Sequence, residues 1–271
     1  MQRGYIMPLV KLGDINIDYK VEGRGEPLVM IMGLTASRSG WMAQTPFFKK
    51  YFQVITFDNR GAGKSSKPPG PYTTKMMADD VIGLMDYLGI KKAHIIGASM
   101  GGMIAQELAI NHPERVMKLV LACTYARPAE MKEFTPEQAK MTQLSIDKVP
   151  DALVGLAFNK PFYRITFGVL NRIQTKFIGA EGMTGIAGQR DACASHNTSD
   201  RLSLIKAPTL VIVGSRDRII NSISSEVIAS KIPDARLIKV EGGSHSFSLE
   251  MRKEFNQNVL EFLTDKNPLK Y

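Results

Sequence analysis

The segment Gly97-Ala98-Ser99-Met100-Gly101 sets a serine between two glycines, each two positions away. A serine hydroxyl is a weak nucleophile until something strains, exposes and deprotonates it. The apolar run Ala93 to Gly97 precedes this segment, and a helix-period run, Met100 to Asn111, follows it. A strand turning that sharply into a helix leaves its turn residue exposed, and glycines on either side remove the side chains that would collide. The helix N-terminus then aims its dipole and free N–H groups at the serine. The Met100 backbone N–H is thereby a candidate oxyanion donor.

A nucleophilic serine needs a base, and the chain has four histidines, His94, His112, His196 and His245. His94 lies in a buried-strand run and reads as a core histidine. His112 precedes Pro113 and reads as a helix-end residue. His196, near Asp191 and Asp200, reads as surface polar structure. His245 differs, because Gly242-Gly243-Ser244-His245-Ser246-Phe247 is a small-residue loop between a strand and the last helix. It is the candidate base. The base needs an acid to hold one tautomer. Asp217, in Gly214-Ser215-Arg216-Asp217-Arg218 after the strand Leu210 to Val213, is the candidate. The order Ser, Asp, His along the chain then follows from one strand-end position after another.

A second oxyanion donor is expected from the loop Met32-Gly33-Leu34-Thr35. Gly33 permits close backbone approach, which makes the Leu34 N–H the candidate. Gly61-Ala62-Gly63-Lys64-Ser65 imitates the end of a phosphate-binding loop, but Asp58 stands where that pattern needs its first glycine. No metal-ligand spacing and no dinucleotide fingerprint is present, so no cofactor and no metal are expected.

These residues need a scaffold that brings strand ends together. Val10 to Val21 alternates apolar and polar residues, and Gly23-Arg24-Gly25 then reads as the turn of an antiparallel hairpin. Pro27 to Met32, Phe52 to Phe57, Ala93 to Gly97, Val116 to Ala122, Thr209 to Val213 and Ala235 to Val240 read as buried strands. Thr73 to Leu88, Met100 to Asn111, Ser222 to Lys231 and Phe247 to Leu263 read as helices. This alternation predicts an α/β fold, a mostly parallel sheet with helices on both faces. From Arg127 to Ile205 the strands disappear. That stretch holds scattered large apolar residues, among them Met131, Phe134, Met141, Phe158, Phe167 and Phe177. A structureless loop of that length is unusual, so residues 127–205 are expected to be a helical insertion. Residues 1–126 and 206–271 then form the core domain.

The composition sets limits on function. Of 271 residues 44% are hydrophobic and 23% charged, which suits a large buried core and argues against wholesale disorder. The net charge of +9 is spread thinly, in pairs such as Lys49-Lys50 and Lys91-Lys92, with no basic–aromatic pattern for nucleic acid. Cys123 and Cys193 are the two cysteines; Cys123, in an apolar run, reads as a buried small hydrophobe. No disulfide framework, signal peptide or membrane-spanning run is read, so a cytoplasmic protein is expected.

The three strand-end motifs together resemble the α/β-hydrolase family, in its branch of small esterases, lactonases and cofactor-free perhydrolases. Phe57-Asp58-Asn59-Arg60-Gly61-Ala62-Gly63-Lys64-Ser65-Ser66 is similar to the family's Asp-x-Arg-Gly-x-Gly-x-Ser loop. Ala207 to Asp217 resembles its acid-bearing strand, and Gly242 to His245 its histidine loop. The resemblance implies that the insertion is the family's helical cap. Many relatives carry His-Gly in the oxyanion loop, where this chain has Met32-Gly33. Ser99 sets the chain apart from dehalogenases and epoxide hydrolases, whose nucleophile is an aspartate.

The expected function is hydrolysis of small to medium, mainly apolar carboxylic esters through Ser99, Asp217 and His245, with Leu34 and Met100 as oxyanion donors. The partner is a small ester substrate, with no nucleic acid and no membrane, and with a homo-oligomer permitted. Two other readings share the motifs. One is a lactonase, C–C bond hydrolase or perhydrolase on the same triad; the other is a non-catalytic ligand receptor on the same fold.

Overall fold

Sequence runs that are apolar at every position become strands covered on both sides. In β3 (Pro27–Ile31) the residues Leu28, Val29, Met30 and Ile31 are all fully buried. In β5 (Ala93–Ala98), Ile95 joins one hydrophobic cluster and its neighbour Ile96 joins the other. Successive side chains point to opposite faces, so the sheet has a core on each side. The computed structural model describes residues 9–130, 144–175 and 178–265. Met1 to Pro8, together with Met131, Phe134, Met141 and Phe177 of the insertion, lie outside the described residues.

The remaining strands are β1 (Leu9–Leu12), β2 (Ile15–Glu22), β4 (Gln53–Phe57), β6 (Val116–Ala122), β7 (Thr209–Gly214) and β8 (Ala235–Val240). They form one eight-stranded sheet in the order β1-β2-β4-β3-β5-β6-β7-β8. β1 and β2 pair antiparallel and β2 pairs antiparallel with β4; every other pairing is parallel. One face is covered by α2 (Thr74–Tyr87), α3 (Met100–Asn111) and α7 (Ser222–Lys231). The other packs against α1 (Thr45–Phe48), α8 (Phe247–Glu250) and α9 (Arg252–Thr264). Between β6 and β7 run α4 (Val149–Ala157), α5 (Pro161–Thr175) and α6 (Gly179–Ser195). No helix among the described residues is long and apolar enough to cross a membrane.

Three expectations are corrected. The hairpin turns at Gly13-Asp14, where Gly13 has φ +57°, and not at Gly23–Gly25. At Gly23 the chain passes under the start of β4, where a β-carbon would sit 2.4 Å from the Phe52 carbonyl oxygen. The last helical run breaks at Met251, whose φ of −126° and ψ of 43° interrupt it between α8 and α9. His196 is not a surface residue. It is buried between Thr74 and Thr198, with Nδ1 2.9 Å and Nε2 3.3 Å from their hydroxyls. Burial pushes its pKa down to about 3.

Candidate active site

Parallel strands in register bring their carboxyl ends to one edge of the sheet. Ile31 pairs with Gly97, Ala98 with Ala122, and Gly214 with Val240. The chain that leaves this edge carries Met32–Thr35, Ser99, Cys123, Asp217 and His245 in turn. A crevice outside the carboxyl ends of such strands is where open α/β sheets bind ligands.

Ser99 adopts φ 55° and ψ −122° between β5 and α3. A non-glycine residue there is strained, and the surroundings hold it. Its N–H donates to the Ala122 carbonyl at 2.9 Å, and Thr124 Oγ1 donates to the Ser99 carbonyl at 2.9 Å. The flanking glycines are required by contact. A β-carbon on Gly97 would lie 2.2 Å from the Gly101 oxygen, and one on Gly101 would lie 2.1 Å from the Ile31 oxygen. α3 can therefore start hard against β3 and β5.

The Asp217 side chain is fully buried and each of its carboxylate oxygens is engaged. Oδ1 accepts from the N–H groups of Ile219 and Ile220 at 2.8 and 2.9 Å. Oδ2 lies 2.7 Å from His245 Nδ1. A carboxylate only accepts, so Nδ1 bears the proton and Nε2 keeps a free lone pair. The two loops meet through glycines, since a β-carbon on Gly214 would lie 2.3 Å from the Gly243 oxygen. No hydrogen bond joins Ser99 Oγ to His245 among the described residues. Such nucleophile–base contacts commonly tighten only once substrate is bound.

Cys123 lies beside Asp217 and His245. Its sulfur, an Asp217 oxygen and a His245 nitrogen all lie within 4.8 Å of one another. Burial, with the Asp217 charge added, raises the thiol's pKa well above its usual value, against the opposing Ser99 N–H. The thiol therefore stays neutral. Cys123 is buried in the hydrophobic cluster, as its apolar run predicts, and its place directly after β6 also brings it to the sheet edge beside Asp217 and His245.

The loop after β3 closes over the serine. A β-carbon on Gly33 would lie 3.0 Å from Ser99 Cβ and 3.5 Å from its Oγ. The Ala36 N–H bonds the Gly33 carbonyl at 3.3 Å, closing a four-residue turn around Leu34 and Thr35. Asn59 Nδ2 donates to the Met32 carbonyl at 2.8 Å, and Thr35 N–H donates to Gln189 Oε1 at 2.9 Å. Both amide side chains went unmarked in the sequence. Met32 lies against Gly40, where a β-carbon would come within 2.3 Å of its Cε.

The other histidines are elsewhere. His94 is buried in β5 with Nε2 3.2 Å from Glu26, and burial lowers its pKa. His112 ends α3, with Nε2 3.4 Å from Asp79. The phosphate-loop imitation is a turn around Asp58, whose carboxylate accepts from the Arg38 and Lys64 N–H groups at 2.6 and 2.8 Å. An acid in its centre leaves no cradle for a phosphate. Chemically, the rim offers a strained hydroxyl at a helix N-terminus, an imidazole with a free nitrogen, a buried carboxylate behind it, and backbone N–H groups alongside.

Known proteins share this architecture. The family model described as alpha/beta hydrolase fold matches residues 26–165. A protein of Azorhizobium caulinodans carrying a provisional carbamate-hydrolase name, RutD, is 28% identical over 261 residues, covering 94% of this chain and 98% of that protein. A crystal structure of a hydrolase from Pseudomonas aeruginosa superposes with a TM-score of 0.84 at 29% identity, covering 96% of this chain and 99% of that one. The enol-lactonase from Burkholderia xenovorans superposes at 0.83 with 28% identity, covering 95% and 100%.

Proposed function

The chain belongs to the α/β-hydrolase family, and from that premise we propose that it is a serine hydrolase of small to medium, mainly apolar carboxylic esters. The observation that carries this reading is the Asp217–His245 hydrogen bond of 2.7 Å at the sheet edge that also bears the strained Ser99. His245 Nε2 takes the Ser99 proton as Oγ attacks the ester carbonyl carbon. The N–H groups of Leu34 and Met100 hold the oxyanion. The alcohol leaves with the proton from His245, and Ser99 keeps the acyl group as an ester. Water then gives a proton to His245 and attacks the acyl carbon, and the acid departs as His245 returns that proton to Ser99 Oγ.

Residues 127–205 act in this reading as a cap domain over residues 1–126 and 206–271. Fastening between the two supports it. Glu250 Oε1 accepts the Lys160 N–H at 2.6 Å, and the Ser246 N–H donates to the Ala157 carbonyl at 2.9 Å. Arg218 Nη2 donates to the Phe158 carbonyl at 3.0 Å. Phe158, Tyr163 and Phe167 stack on one another with centroids 5.0 to 6.4 Å apart, an apolar group beside the acid loop.

Lactone opening is a second reading, favoured by the enol-lactonase whose full length superposes on this chain. It uses the same steps, except that the leaving alcohol stays tethered to the acyl group. Turnover of p-nitrophenyl esters of graded chain length, beside lactones and carbamates, tests both. The proposal expects best turnover on short to medium esters, and a loss of about 10⁴-fold or more in kcat for Ser99→Ala and His245→Ala. Equal rates for wild type and both variants across the panel would refute it.

A further inference from the structure

We infer that Gln189, on α6 of the helical insertion, is a positioning residue for the oxyanion loop. The inference rests on the proposed roles of Ser99 and Leu34 and adds a residue to them. Gln189 is completely buried and spends its amide on two backbone groups from two loops. Its Oε1 accepts the Thr35 N–H at 2.9 Å, and its Nε2 donates to the Arg60 carbonyl at 2.8 Å. Neither group belongs to its own helix.

The recipient of the first bond is conformationally expensive. Thr35 has φ 65°, a left-handed conformation that β-branched residues avoid. It is the third residue of the turn closed by Ala36 N–H and Gly33 oxygen, where a positive φ marks a type II turn and glycine is usual. A type I turn of the same four residues would rotate the Leu34–Thr35 peptide and remove its N–H from Gln189. The buried acceptor of Gln189 would then be left without its donor, which is a costly state. Gln189 therefore selects the strained form.

That selection fixes the peptide that directly follows Leu34, the residue whose N–H is the proposed donor. Asn59 holds the Met32 carbonyl at one end of the loop, and Gln189 holds the Thr35 N–H at the other. Between these two amides lies the Leu34 N–H, next to Gly33, which is the residue pressed against Ser99. α6 is seated closely enough to enforce this. A β-carbon on Gly185 would lie 2.2 Å from the Gly61 oxygen, and one on Gly188 would lie 2.6 Å from the Tyr72 ring. The helix that ends the insertion thus aligns a donor for charge that develops in the transition state.

The test uses Gln189→Met, which keeps length and loses both hydrogen bonds. The measurements are kcat and KM on p-nitrophenyl acetate, affinity for an alkyl boronic acid that forms a tetrahedral adduct on the serine, and Tm. Expected are a fall of about 10- to 100-fold in kcat with KM within about threefold, and a matching loss of boronate affinity. Tyr125→Phe removes a different bond to α6, the 2.8 Å contact of its hydroxyl with the Cys193 carbonyl. It should leave kcat within about twofold. A folded Gln189→Met with unchanged kcat and boronate affinity overturns the inference, as does an equal kcat loss in Tyr125→Phe. If Gln189→Met does not fold, Gln189→Glu keeps an acceptor for Thr35. Its kcat should stay within about fivefold, and a larger loss overturns the inference. Ser99→Ala separates the two levels: if that variant keeps full activity, the proposed function fails; if it is inactive while Gln189→Met is not, only the role of Gln189 fails.

Discussion

The hydroxyl of Ser99 owes its exposure to what its neighbours lack. Gly33 is the most direct case, since a methyl group there would stand 3.0 Å from Ser99 Cβ and 3.2 Å from the Ala98 oxygen. Gly33→Ala should lower kcat/KM by about 10- to 100-fold, because a shift of about 1 Å in the reacting group costs that much. Its Tm should change little. Steady-state kinetics beside thermal melts check this, and a kcat/KM within twofold of wild type would count against it. Ser99, Asp217 and His245 stand out in the sequence because each follows a strand-like run and belongs to a residue type with obvious chemistry, whereas Leu34 and Met100 are marked only by backbone N–H groups beside Gly33 and Ser99. Asn59 and Gln189 could not be singled out. Their roles depend on which backbone groups lie opposite them, and a glutamine on a helix looks like any other polar helix residue until its partners are known.

Whole elements were more legible than their joins. α3 and α7 occupy the runs that periodicity and caps predict, from Met100 to Asn111 and from Ser222 to Lys231. The Gly13 turn, the break at Met251 and the burial of His196 were not, because tertiary contact decides them. His196 shows this best. It caps α6, bonds Thr74 at the start of α2, and is sealed from water in the process. Its imidazole titrates near pH 3 when folded and about pH 6.5 when unfolded. Between those values the unfolded chain binds the extra proton. Stability therefore rises with pH across that window, by up to about 1.4 kcal/mol per unit, and levels off above it. Urea unfolding at pH 4.5, 5.5 and 7 should show His196→Gln losing this contribution to the slope. Parallel curves for the two proteins would contradict the burial account. His94, also lowered by burial, contributes to both curves alike.

Across the whole molecule, the insertion touches the site from two sides. The end of α4 and the residues after it meet the loops that carry Asp217 and His245 through Ala157, Phe158 and Lys160, and α6 meets the loop after β3 through Gln189. The strand–helix alternation told the sheet's class, but nothing in the sequence told that two separate stretches of a long insertion return to the sheet edge that bears Ser99. A hydroxyl from β5, an imidazole from beyond β8 and a carboxylate from beyond β7 react as one unit only if the full chain brings them together. Trapping the intermediate measures that directly. Rapid mixing with a slowly hydrolysed p-nitrophenyl ester should give a burst of about one nitrophenolate per chain, with intact mass raised by one acyl group and the added mass on the peptide containing Ser99. His245→Ala should abolish the burst. A burst that survives in Ser99→Ala, or an acyl group found on any other residue during turnover, would contradict the account.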